Sequence, residues 1–309
     1  MGKTTSGTYK SGNGIDQVYY WYREPAGPPK GILQIAHGMA EHSGRYGHVA
    51  DFFTGEGYVV CANDHLGHGK TASSPSDYGF FGKKPGWWTM VEDMAGLTLR
   101  MKEIFPGLPV FLQGHSMGSF LGRIYLTRYG TELAGAIFTG TSAGDPKAAM
   151  ALPLTAAMTA LRGHRFRSRL LYGIAFGKYN ERYGANSDRL GWMSQDPAVL
   201  SAFRRDPACN FVLTVAGFRD MTHMVLFINR PEWPSEVPLG LPILLLSGEN
   251  DPVGAYGEGV RRVYEALAAA GCTDVSMKLY PDTRHEVLNE PVKMTALAEI
   301  AAFMEARLG

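Results

Sequence analysis

The 309-residue sequence is short of cysteine and short of net charge. Its three cysteines, Cys61, Cys209 and Cys272, lie far apart with no Cys-x-x-Cys spacing, which argues against a metal site or disulfide framework and suits a reducing compartment. A formal net charge of +1 offers no electrostatic footprint for nucleic acid or another polyanion. Long apolar runs are missing as well: the longest, at 148–161 and 241–246, cannot span a bilayer. The first residues, MGKTTSGTYKSGNG, lack the apolar core of a signal peptide, although Gly2 and Ser6 fit an N-myristoylation pattern. No internal repeat or low-complexity segment interrupts the chain. These absences leave an expectation of a soluble, cytoplasmic protein, with peripheral membrane association left open.

What is present is an ordinary globular balance, 45% hydrophobic and 19% charged. Strand-like runs (QVYYWYR, GILQIAHG, YVVCAND, LPVFLQG, LAGAIFTG) alternate with helical ones, which implies a mostly parallel sheet flanked by helices. After Thr139 the alternation stops for roughly a hundred residues, far beyond a normal connection. It resumes at PILLLSG (242–248), continues as helix GEGVRRVYEALAAAG and strand VSMKLYP, and closes with a final helix. The expected organisation is therefore a core of residues 1–144 and 237–309, with 145–236 inserted as a helical cap.

Two stretches carry the pattern Gly-x-Ser-x-Gly, around Ser116 and around Ser142. A nucleophile elbow needs a strand, one strained residue and a helix that starts at once. Ser116 has the strand PVFLQ before it and a capable helix from Met117. Ser142 is followed by Gly144-Asp145-Pro146, where Asp145 reads as an N-cap and Pro146 as the first helical position, so Ser142 falls in a loop. Ser116 is the candidate nucleophile.

A serine hydroxyl needs a base and an acid that orients it. His164 and His223 fall in the insertion; His285, after strand VSMKLY, is placed where a base belongs. Asp251, ending PILLLSGENDPVG, is the candidate acid, ahead of Glu249, Asp282 and Asp274. For the oxyanion hole the N–H of Met117 supplies one donor, and the loop AHGMAEH supplies the second from Met39. His65 and His68 lack a third ligand at useful spacing, so no metal is expected, and Asp64 with its neighbouring glycines reads as a brace for the oxyanion loop.

With these residues in place, the sequence resembles the monoacylglycerol lipase and lysophospholipase group of α/β-hydrolases. The resemblance rests on HGMAEHSGRY (37–46), DHLGHGK (64–70), GHSMGS (114–119), SGENDPVG (247–254) and DTRHEVLNE (282–290). It implies the α/β-hydrolase fold, a Ser-Asp-His triad, no cofactor, and a mobile helical cap over an acyl tunnel. It also implies that Glu41 and Arg45 sit near the polar head of the ester; ordinary first-turn helix residues, with Arg45 pairing a carboxylate, are the competing reading. Phe203 stands where animal members of the group carry tyrosine.

The expected activity is serine carboxylester hydrolysis of a small-molecule or single-acyl lipid ester. A general small-ester carboxylesterase, a same-fold peptidase or thioesterase, and a non-catalytic binding protein remain open, the last disfavoured by the complete triad. An apolar run with Met150, Leu152, Leu154, Met158 and Leu161, followed by Arg162, Arg165, Arg167 and Arg169, suits a cap that touches an anionic lipid surface transiently.

Overall fold

The computed structural model describes residues 2–83, 85–183 and 189–308. Its strands are β1 (Thr4–Lys10), β2 (Gln17–Arg23), β3 (Gly31–Ala36), β4 (Tyr58–Asn63), β5 (Val110–His115), β6 (Gly135–Thr139), β7 (Ile243–Gly248) and β8 (Val275–Tyr280). They form one sheet in the order β1-β2-β4-β3-β5-β6-β7-β8, parallel throughout except for the antiparallel β1–β2 and β2–β4 pairs. The helices are α1 (Gly47–Gly55), α2 (Gly86–Ile104), α3 (Met117–Tyr129), α4 (Ala151–Arg162), α5 (Arg169–Phe176), α6 (Pro197–Arg205), α7 (Val215–Ile228), α8 (Glu258–Ala269) and α9 (Lys293–Glu305).

Strands β3 to β7 are buried along their whole length, as parallel strands covered on both faces must be. Their residues alternate between two cores. Ile32, Val59, Leu112, Phe138 and Leu245 face one layer, shared with α2, α3, α7 and α8. Leu33, Val60, Phe111, Ile137 and Leu246 face the other, shared with α1 and α9. Each fully buried side chain of this kind contributes about 1.5–3 kcal/mol, so the sheet is the rigid part of the molecule. Strand β1 has no counterpart among the runs read from sequence. It pairs along one side only, and its alternation of exposed and half-buried residues carries almost no apolar signal.

The strand order reverses direction between β3 and β5: the chain leaves β3 toward β4 on one side and later returns to β5 on the other. Loops at the carboxyl ends of β3 and β5 therefore diverge and open a crevice, the usual ligand position of an open α/β sheet.

Between β6 and β7 the chain forms α4 to α7 with short 3₁₀ turns; one isolated bridge, Arg167 to Thr214, is the extended pairing found there among the described residues. Asp145 does cap the first turn, accepting from Lys147 N at 2.8 Å, although that turn is 3₁₀ before α4 begins. Arg123 of α3, 1% exposed, ties both ends of this insertion to the core. Its guanidinium donates to Ser142 O (2.6 Å) at the entry and Ile228 O (3.1 Å) at the exit, and lies over the Trp233 ring at 4.3 Å. Burial pushes its pKa down to about 9, the cost of a buried cation matched by carbonyl dipoles and a ring face.

Candidate active site

Ser116 lies between β5 and α3 with φ 53° and ψ −119°, a conformation strained for any residue with a Cβ, by about 1–3 kcal/mol. Its N–H donates to Thr139 O at 3.0 Å, and its carbonyl accepts from Ser119 and Phe120 as α3 begins. The sharp turn needs backbone approach: a Cβ on Gly118 would run into the carbonyls of Ala36 and His37. The turn thus fixes Ser116 against the end of β3, where the loop that carries Met39 starts.

His285 follows β8 and Asp251 follows β7, and the structure brings them together: His285 Nδ1 and Asp251 Oδ2 are 2.9 Å apart, with both side chains buried. Asp251 is oriented by Val253 N, which donates to its other oxygen at 2.8 Å. Burial, the largest influence on His285, opposes a charged ring. The charge and hydrogen bond of Asp251, with Glu286 and Glu41 behind, outweigh it and raise the imidazole above its ordinary value of 6.5. His115 packs on the imidazole at 4.8 Å and is itself held neutral, pushed down to about 4 by burial and by His285. Glu249 is exposed, and Asp274 pairs with Arg307 at the far edge.

Ser142 accepts from Gly144 N at 3.0 Å and follows no elbow. The useful member of its motif is Gly140, at φ 58°, where a Cβ would stand 2.9 Å from His285 Cε1.

The loop after β3 is braced from three sides. Gly38 N donates to Glu41 Oε1, which also accepts from Tyr46 OH at 2.9 Å. Ala40 N donates to His68 Nε2 at 3.2 Å, and Ala40 O accepts from Asn210 N at 2.9 Å. Asp64 accepts from Ser43 and from Lys70 N, as a brace should. His37, His65 and His68 pack on one another, and burial drives all three below their ordinary pKa. They are structural hydrogen-bond partners, and His68 supports the loop more directly than the sequence suggested. Met39 and Met117 both line the cavity beside Ser116, with Gly38 N already committed to Glu41.

Glu41 lines the cavity, but both its oxygens are taken: one by Gly38 and Tyr46, the other by Arg45. Burial alone would raise its carboxyl; the charge of Arg45, the neighbouring His115 and His37, and the Gly38 N–H outweigh that and hold it well below the ordinary range. Arg45 also grips Glu286 through two bonds of 2.8 Å and lies 4.8 Å from the Phe203 ring. It does not line the cavity, and its bonds are those of the carboxylate-pairing reading. Glu286, which sequence reading missed, sits beside His285 and does line it.

The cavity itself is about 900 Å³ and runs beneath the insertion, walled by Leu154, Leu171, Phe176, Phe218, Met221 and Val225. Trp192, also from the insertion, packs tilted against His285, ring centroids 5.1 Å apart. Among the described residues one trio has metal-ligating types close together: His42, Asp206 and Cys209. His42 Nδ1 accepts from Gly44 N, so the ring proton sits on Nε2 and donates to Asp206 Oδ2 at 2.9 Å. That arrangement is a hydrogen-bonded link between loop and insertion and leaves no nitrogen lone pair for an ion.

A parallel sheet with a serine elbow after β5, an acid after β7 and a histidine after β8 defines the α/β-hydrolase class, a fold of serine hydrolases. Residues 27–292 match the family described as serine aminopeptidase, S33, and the chain belongs to it. A highly thermostable carboxyl esterase from Bacillus coagulans, solved with glycerol, is similar at 34% identity and TM-score 0.93 over 100% of both chains. A monoacylglycerol lipase of Mycolicibacterium smegmatis is 28% identical over 96% of each chain. The monoglyceride lipase of Homo sapiens is 26% identical, covering 89% of this chain and 81% of its own. No helix among the described residues is long and apolar enough to cross a membrane.

Proposed function

We propose that this enzyme hydrolyses single-acyl lipid esters of uncharged alcohols, the monoacylglycerol type, through an acyl-enzyme. The observation that carries the reading is that the strained Ser116 opens on the same apolar cavity as the buried Asp251–His285 pair. Ser116 Oγ attacks the ester carbonyl while His285 takes its proton; Asp251 holds Nδ1, leaving Nε2 for the transfer. The N–H groups of Met39 and Met117 receive the oxyanion, and the start of α3 adds its dipole. His285 then protonates the leaving alcohol, and water, activated by the same imidazole, releases the acid.

The insertion at 145–236 acts as the cap, and its apolar wall suits an acyl chain. The other end of the cavity holds two carboxylates, Glu41 and Glu286, against one cation, Arg45. A phosphate there would meet net negative charge in a low dielectric, which favours neutral polyol heads over lysophospholipids. A peptidase would need these carboxylates for a free α-amine, but the oxygens of Glu41 are held by Gly38, Tyr46 and Arg45 and those of Glu286 by Arg45 and Asn289, which disfavours that reading. In this account Glu41 and Arg45 shape the alcohol end by fixing the loop.

Of nine exposed large hydrophobics among the described residues, Met150, Leu161, Leu170 and Ile174 gather on the first part of the insertion, which suits transient contact with a lipid surface. Arg165 and Arg167 bond back onto Asp77 and the carbonyls of Ser76 and Val212, so they fasten the insertion, with Arg167 half-buried and Arg165 still exposed.

A substrate panel tests the reading. A long-chain monoacylglycerol is expected to exceed the matching lysophospholipid in kcat/KM by about tenfold or more, and to exceed acetate esters. Preference for acetate would make it a general carboxylesterase, and preference for an aminoacyl amide would make it a peptidase.

A further inference from the structure

Residues 190–195 of the insertion run beside the loop that carries His285. His285 N donates to Trp192 O (3.4 Å), and Glu286 N donates to Met193 O (2.9 Å). Arg284 donates to Gly191 O (2.6 Å), and Gln195 N to Glu290 Oε1 (2.7 Å). The strip is itself anchored, because Trp192 N donates to Asn180 Oδ1 at 3.1 Å and the Trp192 ring packs on Tyr179 at 5.1 Å.

Trp192 and His115 each pack against the imidazole, with centroids 5.1 and 4.8 Å away. A ring held only by one hydrogen bond at Nδ1 can rock about that bond; aromatic neighbours restrict this motion. Ionisable groups facing His285 are Asp251 after β7, Glu286 beside it, Glu41 after β3 and His115 on β5. Arg45 lies behind Glu286, and Tyr179 lies beyond Trp192.

We infer that Trp192 is a positioning residue for His285: through it the insertion, not the sheet alone, orients the imidazole and keeps water off it. The inference rests on His285 being the base. It makes the insertion part of the catalytic alignment as well as a wall for substrate.

The test uses p-nitrophenyl acetate, whose acyl group is too short to need the far cavity wall. Trp192→Ala is expected to lower kcat about tenfold with KM nearly unchanged, while Trp192→Phe recovers most of the rate. Losing the cover lessens the burial that opposes charge on His285, so the acid limb of kcat/KM moves to higher pH, by about half a unit. If the alanine variant does not fold, Trp192→Leu keeps the bulk without the ring and carries the same expectation. The inference is overturned if acetate turnover and the acid limb stay put and only KM for long acyl esters rises. His285→Gln separates the two readings: full activity there removes the base itself, whatever Trp192 does.

Discussion

β5 and β6 lie side by side, and each runs out into a Gly-x-Ser-x-Gly turn. After β5 the chain enters α3 at once, and Ser116 is forced to φ 53° at the edge of a cavity. After β6 there is no immediate helix; Ser142 caps a turn through Gly144 N, and its carbonyl goes to Arg123. The letters are the same, but the backbone that follows decides which hydroxyl is presented and which is used up. The second motif still serves the site, through Gly140 under the imidazole.

The sharpest way to break the comparison is to remove each hydroxyl. Ser116→Ala is expected to lower kcat by about 10⁴-fold or more, with the thermal midpoint nearly unchanged. Equal losses in Ser116→Ala and Ser142→Ala, read by ester kinetics, would abolish the distinction.

Asp251→Asn comes next, with an expected loss of about 10²–10⁴-fold. The sign of its pH effect is separately testable. The proposed mechanism requires neutral His285, and Asp251 is the main group raising that ring's pKa. Wild-type kcat/KM should therefore rise with pH through a limb above 6.5, the ordinary histidine value. In the asparagine variant the remaining activity should rise at lower pH, the direction opposite to Trp192→Ala.

Gly140→Ala puts a methyl against His285 and strains a positive φ, so about a hundredfold loss of kcat is expected with little change in KM. Ser142→Ala should be the mildest, within about threefold, because it removes one capping hydrogen bond of roughly 1 kcal/mol outside the reaction path. A larger loss in Ser142→Ala than in Gly140→Ala would reverse the roles assigned within the second motif.

The turn at Ser116 and the loops of Asp251 and His285 were legible because each is local, a short loop at the end of a strand, in a fixed chain order. The alternation of buried strands with helices was readable for the same reason. Four features were not. β1 is an edge strand whose exposed face has no hydrophobic period. Glu286 meets Arg45 from 241 positions away, and Trp192 meets His285 across the insertion, so neither contact leaves a local pattern. The helices of the insertion have short, interrupted apolar periods, since much of their apolar surface faces a cavity and not a packed core.

Arg123 gives the molecule a single fastening for both places where the chain crosses between sheet and insertion. Apart from the ring face of Trp233, it asks only two backbone carbonyls of the crossing segments, at Ser142 and Ile228. Neither depends on side-chain identity, so the intervening sequence is free to diverge while its junctions keep their spacing. A different helical segment seated on this sheet would have to keep that spacing, and would also have to replace the contacts that the present one makes with Asp77, with Ala40 and with the loop of His285.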